Sequence, residues 1–178
     1  MNTLVVNFFA GPGAAKSTLA AHCFAELKWN GINCEIVQEY AKEKVWEENY
    51  ELLKNQSFIY SHQYQALNRL NNKVQVILCD SPLLLSIIYD SERDPHFAAY
   101  VLSKFDSFYN LNFFITRSKP FLQDGRMHNE DQSKVLDKQI KDLLDYKSIK
   151  YESVVGKRDN VDYLVDKIMK RINSWSDQ

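Results

Sequence analysis

Residues 10 to 18 read Ala10-Gly11-Pro12-Gly13-Ala14-Ala15-Lys16-Ser17-Thr18, a run of small residues that ends in a lysine and two hydroxyls. Small residues let successive backbone N–H groups curl round one anionic group without side chains in the way. A helix opening at Lys16 would add the positive end of its dipole. In that setting Lys16 spans the β- and γ-phosphates of a nucleotide and the Ser17 hydroxyl ligates magnesium. The chemistry indicated is therefore binding of Mg-ATP and transfer of its γ-phosphoryl group. Gly11, Pro12, Gly13, Ala14, Ala15, Lys16, Ser17 and Thr18 are the candidate nucleotide contacts. The run departs from G-x-x-x-x-G-K-[ST] because both signature glycines are alanines, Ala10 and Ala15. Close backbone approach then rests on Gly11 and Gly13, and a methyl at position 15 is expected to crowd the phosphates. A Gly-Pro-Gly turn before an unrelated helix would share these letters; a strand before and a helix after favour the phosphate loop.

Two carboxylates stand where such a reaction needs them. Asp80 ends the apolar run Val74 to Cys79, as expected of an acid that holds magnesium through water beside Ser17. Asp80-Ser81-Pro82 would also cap a helix well, and the two roles can coexist. Glu39 follows the run Ile32 to Gln38 and is expected to face the same crevice, where it can take the proton of an attacking hydroxyl. An exposed glutamate in a charged helix start, beside Lys42 and Glu43, is the plainer alternative. Arg117, Lys119 and Arg126 lie in a polar segment holding Pro120 and Gly125, from Thr116 to Asn129. Closed over ATP, such a segment would bring positive charge to the transferring group, with Arg126 the first choice and Arg117 a nucleotide contact. Tyr40, Trp46, Tyr50, Phe58, Tyr60 and Tyr64 fit either a base-stacking pocket or a core. His22, His62, His96 and His128 form no metal-ligand spacing.

These residues need a scaffold, and the apolar pattern supplies one. Leu4 to Phe9, Ile32 to Gln38, Val74 to Cys79, Leu111 to Ile115 and Tyr151 to Val155 read as short buried strands. Between them, Leu19, Cys23 and Leu27 mark a helix closed by Asn30-Gly31, and two helices fit from Glu39 to Asn72. Pro82 to Tyr89 can begin another. Asp94-Pro95 offers an N-cap for a helix bearing Phe97, Val101, Phe105 and Phe108. Val135, Leu136, Ile140, Leu143 and Leu144 form one late stripe, and Val161, Leu164, Val165, Ile168 and Ile172 another. Strand and helix alternate, so a parallel sheet with helices on both faces is expected, its ligands gathered beyond the carboxyl ends of the strands.

The chain has 178 residues, 45% hydrophobic and 25% charged, which suits one well-filled core and disfavours disorder or a disulfide scaffold. A single domain is expected, with a lid at about 116–132. Twenty-two basic and 23 acidic residues leave a formal charge of −1, which provides no global attraction to nucleic acid or anionic lipid. Cys23, Cys34 and Cys79 lack paired spacing and read as buried thiols. No segment suits a signal or membrane span, so a cytoplasmic location is expected.

In order along the chain, these segments resemble the P-loop kinases typified by the ribosylnicotinamide kinase domain of bacterial NAD regulators, together with small phage-type ATPase/kinase proteins. After the phosphate loop, that family's Glu-Tyr-(Ala/Gly)-(Arg/Lys) segment is matched by Glu39-Tyr40-Ala41-Lys42 and its His-Gln pair by His62-Gln63. Its Asp-x-(Asp/Pro) strand end is matched by Asp80-Ser81-Pro82, its lid by Asp124-Gly125-Arg126, and its Leu-Leu-Asp-Tyr helix end by Leu143 to Tyr146 ahead of Tyr151. The resemblance implies a three-layer P-loop NTPase fold, α/β, with a five-stranded parallel sheet and a short lid. It implies ATP as donor, Mg2+ as cofactor and a nucleoside or nucleotide as acceptor, with Lys16, Glu39, Asp80 and Arg126 catalytic and Ser17 and Asp80 on the metal. Pro82 replaces the second carboxylate of Asp-x-Asp, so the ribosylnicotinamide site does not carry over. Related phage kinases act on deoxynucleotides or on hydroxymethylated pyrimidines in DNA; modified DNA is thus an alternative partner, acceptor-independent ATP hydrolysis an alternative activity, and a homodimer is left open. A phage-encoded chain would work in the host cytoplasm.

Overall fold

The computed structural model describes residues 2–118, 120–122 and 127–174. Leu4–Phe9 (β1) forms the middle of a five-stranded parallel sheet because both of its faces are apolar and every residue of it is buried. Cys34–Val37 (β2), Val76–Cys79 (β3), Tyr109–Thr116 (β4) and Glu152–Val155 (β5) complete the order β2-β3-β1-β4-β5, all pairs parallel. Parallel neighbours require crossovers, and helices supply them on both faces.

Side chains of β1 alternate between two cores. Leu4, Val6 and Phe8 pack with Leu19, Cys23 and Leu27 of Lys16–Trp29 (α1), and with Leu164, Ile168 and Ile172 of Val161–Asn173 (α8). Val5 and Phe9 face the other way. They meet Tyr60 and Leu67 of Gln56–Asn68 (α4), Val101 and Phe105 of Pro95–Asp106 (α6), and Ile140 and Leu144 of Glu130–Tyr146 (α7). Asn7 interrupts this apolar strand at 1% exposure. Its Nδ2 donates to Oδ1 of both Asn110 and Asn112 at 2.9 Å, and Asn112 Nδ2 donates in turn to the Lys150 carbonyl. Left unpaired, a buried amide would cost about 1–3 kcal/mol; paired, it ties β1 to β4 and to the turn before β5.

Between Glu39 and Asn72 there are three helices where apolar spacing predicts two: Tyr40–Trp46 (α2), Tyr50–Lys54 (α3) and α4. The breaks are made by asparagine caps. Asn49 accepts from the Leu52 N–H and Asn55 from the Phe58 N–H, satisfying amides that a continuous helix would have paired internally. Farther on, Leu85–Tyr89 (α5) follows β3 by a short loop. Asp94 caps α6 through the His96 N–H at 2.8 Å with Pro95 at the first helical position, as its sequence indicates. A reciprocal capping box between Asn129 and Gln132 starts α7 five residues before the apolar stripe does.

All three cysteines are free and buried, and burial pushes the thiols of Cys23 and Cys79 up to about 12 and that of Cys34 up to about 11. They serve as small core side chains, inert as nucleophiles. Among the described residues no helix is long and apolar enough to cross a membrane.

Candidate nucleotide site

The loop from Ala10 to Ala15 joins the carboxyl end of the central strand to the amino end of α1. Gly13 has φ +82° and Ala15 φ +72°, so the backbone twice enters the left-handed region and turns successive amides inward. Among the described residues no protein acceptor takes the N–H groups of Gly13, Ala14 or Ala15, nor those of Lys16, Ser17 and Thr18 in the first turn of α1. Lys16 is buried, and its Nζ donates to the Gly11 carbonyl at 3.0 Å. Ser17 and Thr18 are exposed at the mouth. The loop thus has the backbone shape that an anion cradle needs, with its lysine folded back along it.

Asp80 directly follows β3, at 3% exposure, and its Oδ1 has no hydrogen-bond partner among the described residues. Uncompensated burial of a carboxylate oxygen is costly. Asp80 shares a cleft of about 250 Å³ with Ser17, Glu39, Lys42 and Trp46. The structure therefore brings together three residues that lie far apart in sequence, a hydroxyl and two carboxylates, at the carboxyl ends of β2 and β3. A hard divalent cation held partly through water suits the buried oxygen and the Ser17 hydroxyl. No group of three or more histidine, cysteine or acidic side chains able to hold a metal occurs among the described residues. Glu39 occupies the N-cap position of α2 in extended conformation and makes no side-chain cap bond there, so it does not serve as a capping residue.

A second cleft, of about 480 Å³, adjoins the first through Ile36, Gln38 and Glu43 and runs past Tyr40, His62, Gln63 and Arg69. Tyr40 and His62 stack face to face, centroids 4.2 Å apart at 9°. Gln63 is buried; its Oε1 accepts from the Tyr40 N–H at 3.3 Å, fixing the start of α2 on α4. Of the other aromatics, Tyr60 is buried and Tyr64 packs against the same core, whereas Tyr50 and Trp46 are exposed.

Arg117 leaves the end of β4 and turns onto the loop. Its Nε donates to Asp137 Oδ2 at 2.7 Å, its Nη1 donates to the Pro12 carbonyl, and its Nη2 donates to the Ser133 carbonyl at 3.3 Å. Asp137 Oδ1 accepts from the Gly11 N–H at 2.6 Å. Arg126, with Lys119, Asp124 and Gly125, lies outside the described residues.

Four residues to which the sequence reading gave no site role lie at or behind this site. Asp137 is one. Gly156 is another: its N–H donates to the Thr116 carbonyl at 2.8 Å, and a Cβ there would lie 2.5 Å from the Ala14 carbonyl. Phe121 packs on the loop, since a Cβ at Gly13 would lie 2.7 Å from its ring. Tyr89, at the end of α5, lies against the His128 ring with centroids 5.8 Å apart. Its phenol is pushed up by burial and by the nearby negative charges of Glu39 and Asp137. Only Gly156 carried a usable signal, a glycine directly after a terminal strand of a parallel sheet, where ligands gather.

A family model described as an AAA domain matches residues 5–160. No curated protein matches the sequence. Among solved structures, the fold is similar to deoxyadenosine kinase from M. mycoides with the products dCMP and a flexible dCDP bound. That match has 18% identity and a TM-score of 0.54, over 97% of this chain and 99% of the other. The dATP-bound form of that enzyme matches at 16% identity and a TM-score of 0.52, over 96% and 99% of the two chains. APS kinase from Mycobacterium tuberculosis in complex with AMPPNP and APS matches at 12% identity and a TM-score of 0.50, over 95% and 96%. These likenesses show a shared fold, a parallel sheet with helices on both faces.

Two substitutions probe the loop. Left-handed backbone costs an alanine about 1–2 kcal/mol, while glycine pays about 0.5–1 kcal/mol in unfolded-state entropy. Ala15→Gly should therefore stabilise by about 0.5–1 kcal/mol and raise the melting temperature by about 1–4 °C; a lower melting temperature would show that position 15 carries no strain. Gly156→Ala should press a methyl onto the Ala14 carbonyl, cost about 1–3 kcal/mol and weaken nucleotide binding. Calorimetric titration and thermal melts measure both effects, and unchanged values would mean that the β5 end does not brace the loop.

Proposed function

The chain belongs to the AAA domain family, and from that premise we propose that it is an ATP-dependent kinase moving the γ-phosphoryl group of ATP to a hydroxyl or phosphate of a nucleoside- or nucleotide-like acceptor. The observation that carries the reading is the buried Asp80 Oδ1, without a partner among the described residues, beside Ser17 and Glu39 at the mouth of the loop. A phosphoryl-transfer site needs little beyond positioning and charge, and this cleft contains both. The fold shared with solved deoxyadenosine and APS kinases supports the acceptor class.

In this reading Lys16 gives up the Gly11 carbonyl and spans the β- and γ-phosphates, while the amides of Gly13 to Thr18 take the phosphate oxygens. Ser17 and Asp80 would hold magnesium, which when bound offsets charge on the phosphates. Glu39 accepts the proton of the acceptor hydroxyl. Arg126 supplies further positive charge to the transferring group. The acceptor occupies the cleft walled by Glu39 and Trp46 and extending toward Tyr40 and His62. A small-molecule acceptor is favoured over DNA because the formal charge of −1 gives no general pull on a polyanion. Residues 1–178 act as one domain, and the three buried free thiols suit a reducing cytoplasm.

The test is ADP release from Mg-ATP with nucleosides, deoxynucleoside monophosphates, ribosylnicotinamide or hydroxymethyluracil-containing DNA as acceptor. One small acceptor should stimulate release and carry the label. Lys16→Ala should abolish ATP binding, and Glu39→Gln should keep binding but lower turnover by about 10²–10⁴-fold. Release indifferent to every acceptor would replace this reading with an ATPase, and label recovered on DNA would replace the small acceptor. Retained ATP affinity in Lys16→Ala would remove the phosphate site.

A further inference from the structure

Gly11 is held from both sides. Its carbonyl accepts from Lys16, and its N–H donates to Asp137, a residue 126 positions away on α7. The neighbouring Pro12 carbonyl accepts from Arg117, and Arg117 and Asp137 are themselves paired at 2.7 Å. Both side chains are largely covered, at 15% and 19% exposure, so their charges are less screened than those of a surface pair. The arrangement sets a carboxylate against the backbone of a loop whose remaining amides have no acceptor among the described residues. By itself that carboxylate would repel phosphate. With Arg117 on it, the unit is neutral.

Resting on the reading of Gly11 to Thr18 as a phosphate site, we propose that Arg117 and Asp137 are a positioning pair for that loop. Asp137 fixes the Gly11 amide, while Arg117 fixes the Pro12 carbonyl and cancels the carboxylate behind the phosphates. Arg117 thus acts on a nucleotide through the loop, with one donor on each of its three nitrogens engaged by Asp137, Pro12 and Ser133.

The proposal predicts unequal effects from the two partners. Losing Arg117 exposes a negative charge beside an anion site. Losing the Asp137 charge does not, and an asparagine can still accept from Gly11. A pair that merely braced the fold would weaken nucleotide binding from either side.

The experiment is a double-mutant cycle of wild type, Arg117→Gln, Asp137→Asn and the double variant, titrated calorimetrically with a non-hydrolysable ATP analogue and magnesium at low and high salt. Thermal melts confirm folding. Arg117→Gln should weaken binding about tenfold or more, by a factor that narrows as salt screens the bare carboxylate. Asp137→Asn should cost less, and adding it to Arg117→Gln should recover most of the loss. Arg117→Lys keeps the charge without the fork, so it should bind well above Arg117→Gln; this comparison stands even if the glutamine variant melts early. A double variant no better than Arg117→Gln, or a deficit indifferent to salt, would overturn the proposal while leaving the phosphate site intact. A wild-type protein that binds no analogue would overturn the phosphate site and the proposal with it.

Discussion

The site turns on a set of backbone N–H groups, Gly13 to Thr18, that no acceptor among the described residues takes. Unpaired donors are tolerable only if something else takes them, and they are useful only if they converge. Convergence needs a loop fixed against relaxation. The contacts that fix it come from every side: Lys16 on the Gly11 carbonyl, Asp137 on its amide, Arg117 on Pro12, and the close approach of Gly156 to Ala14. Strands β4 and β5 and helices α1 and α7 are all recruited to hold six residues.

Sheet register explains how such distant residues arrive together. Phe9 is level with Phe114, and β4 runs on to Thr116 past the end of β1, so Arg117 leaves the sheet beside the loop that holds Pro12. Thr116 is level with Val155, which sets Gly156 next along the same rim. On the other side Asn7 is level with Cys79, so Asp80 emerges just below the loop. The register is pinned inside the sheet by Asn7 bonding to Asn110 and Asn112. A one-residue slip would break that network and move Arg117 off Pro12.

Much of this was legible in the sequence because it rests on local pattern. The five strands, the helix closed by Asn30-Gly31 and the helix opened by Asp94-Pro95 follow from apolar runs and caps that neighbouring residues determine. Positions after strands indicated Glu39 and Asp80, since parallel topology turns strand ends into a crevice. What could not be read depends on contacts between remote residues. Asp137 lies next to Leu136 in an amphipathic helix and looks like any solvent-facing acid; only the fold brings it to Gly11. Arg117 reads as a ligand contact by position; that it also bonds Asp137 and Ser133 of α7 and the Pro12 carbonyl depends on the fold. The three-helix stretch escaped because asparagine caps at 49 and 55 interrupt a periodicity that apolar spacing alone carries straight through.

The two alanines that stand where the phosphate-loop pattern has glycine, Ala10 and Ala15, have different physical meanings. Ala10 is fully buried in the core with Phe8 and Leu19, so its methyl fills space that a glycine would leave empty, and the loop loses nothing by the exchange. Ala15 stands at φ +72° as the N-cap of α1, in a conformation that glycine adopts freely and alanine does not. Its strain persists because the residues around it are held independently, Gly11 and Pro12 by the Arg117–Asp137 pair and Ala14 by Gly156. A loop braced from behind in this way can keep its cradle shape without the usual glycine, and the departure from the familiar motif then marks a transfer of constraint from local backbone freedom to long-range contacts.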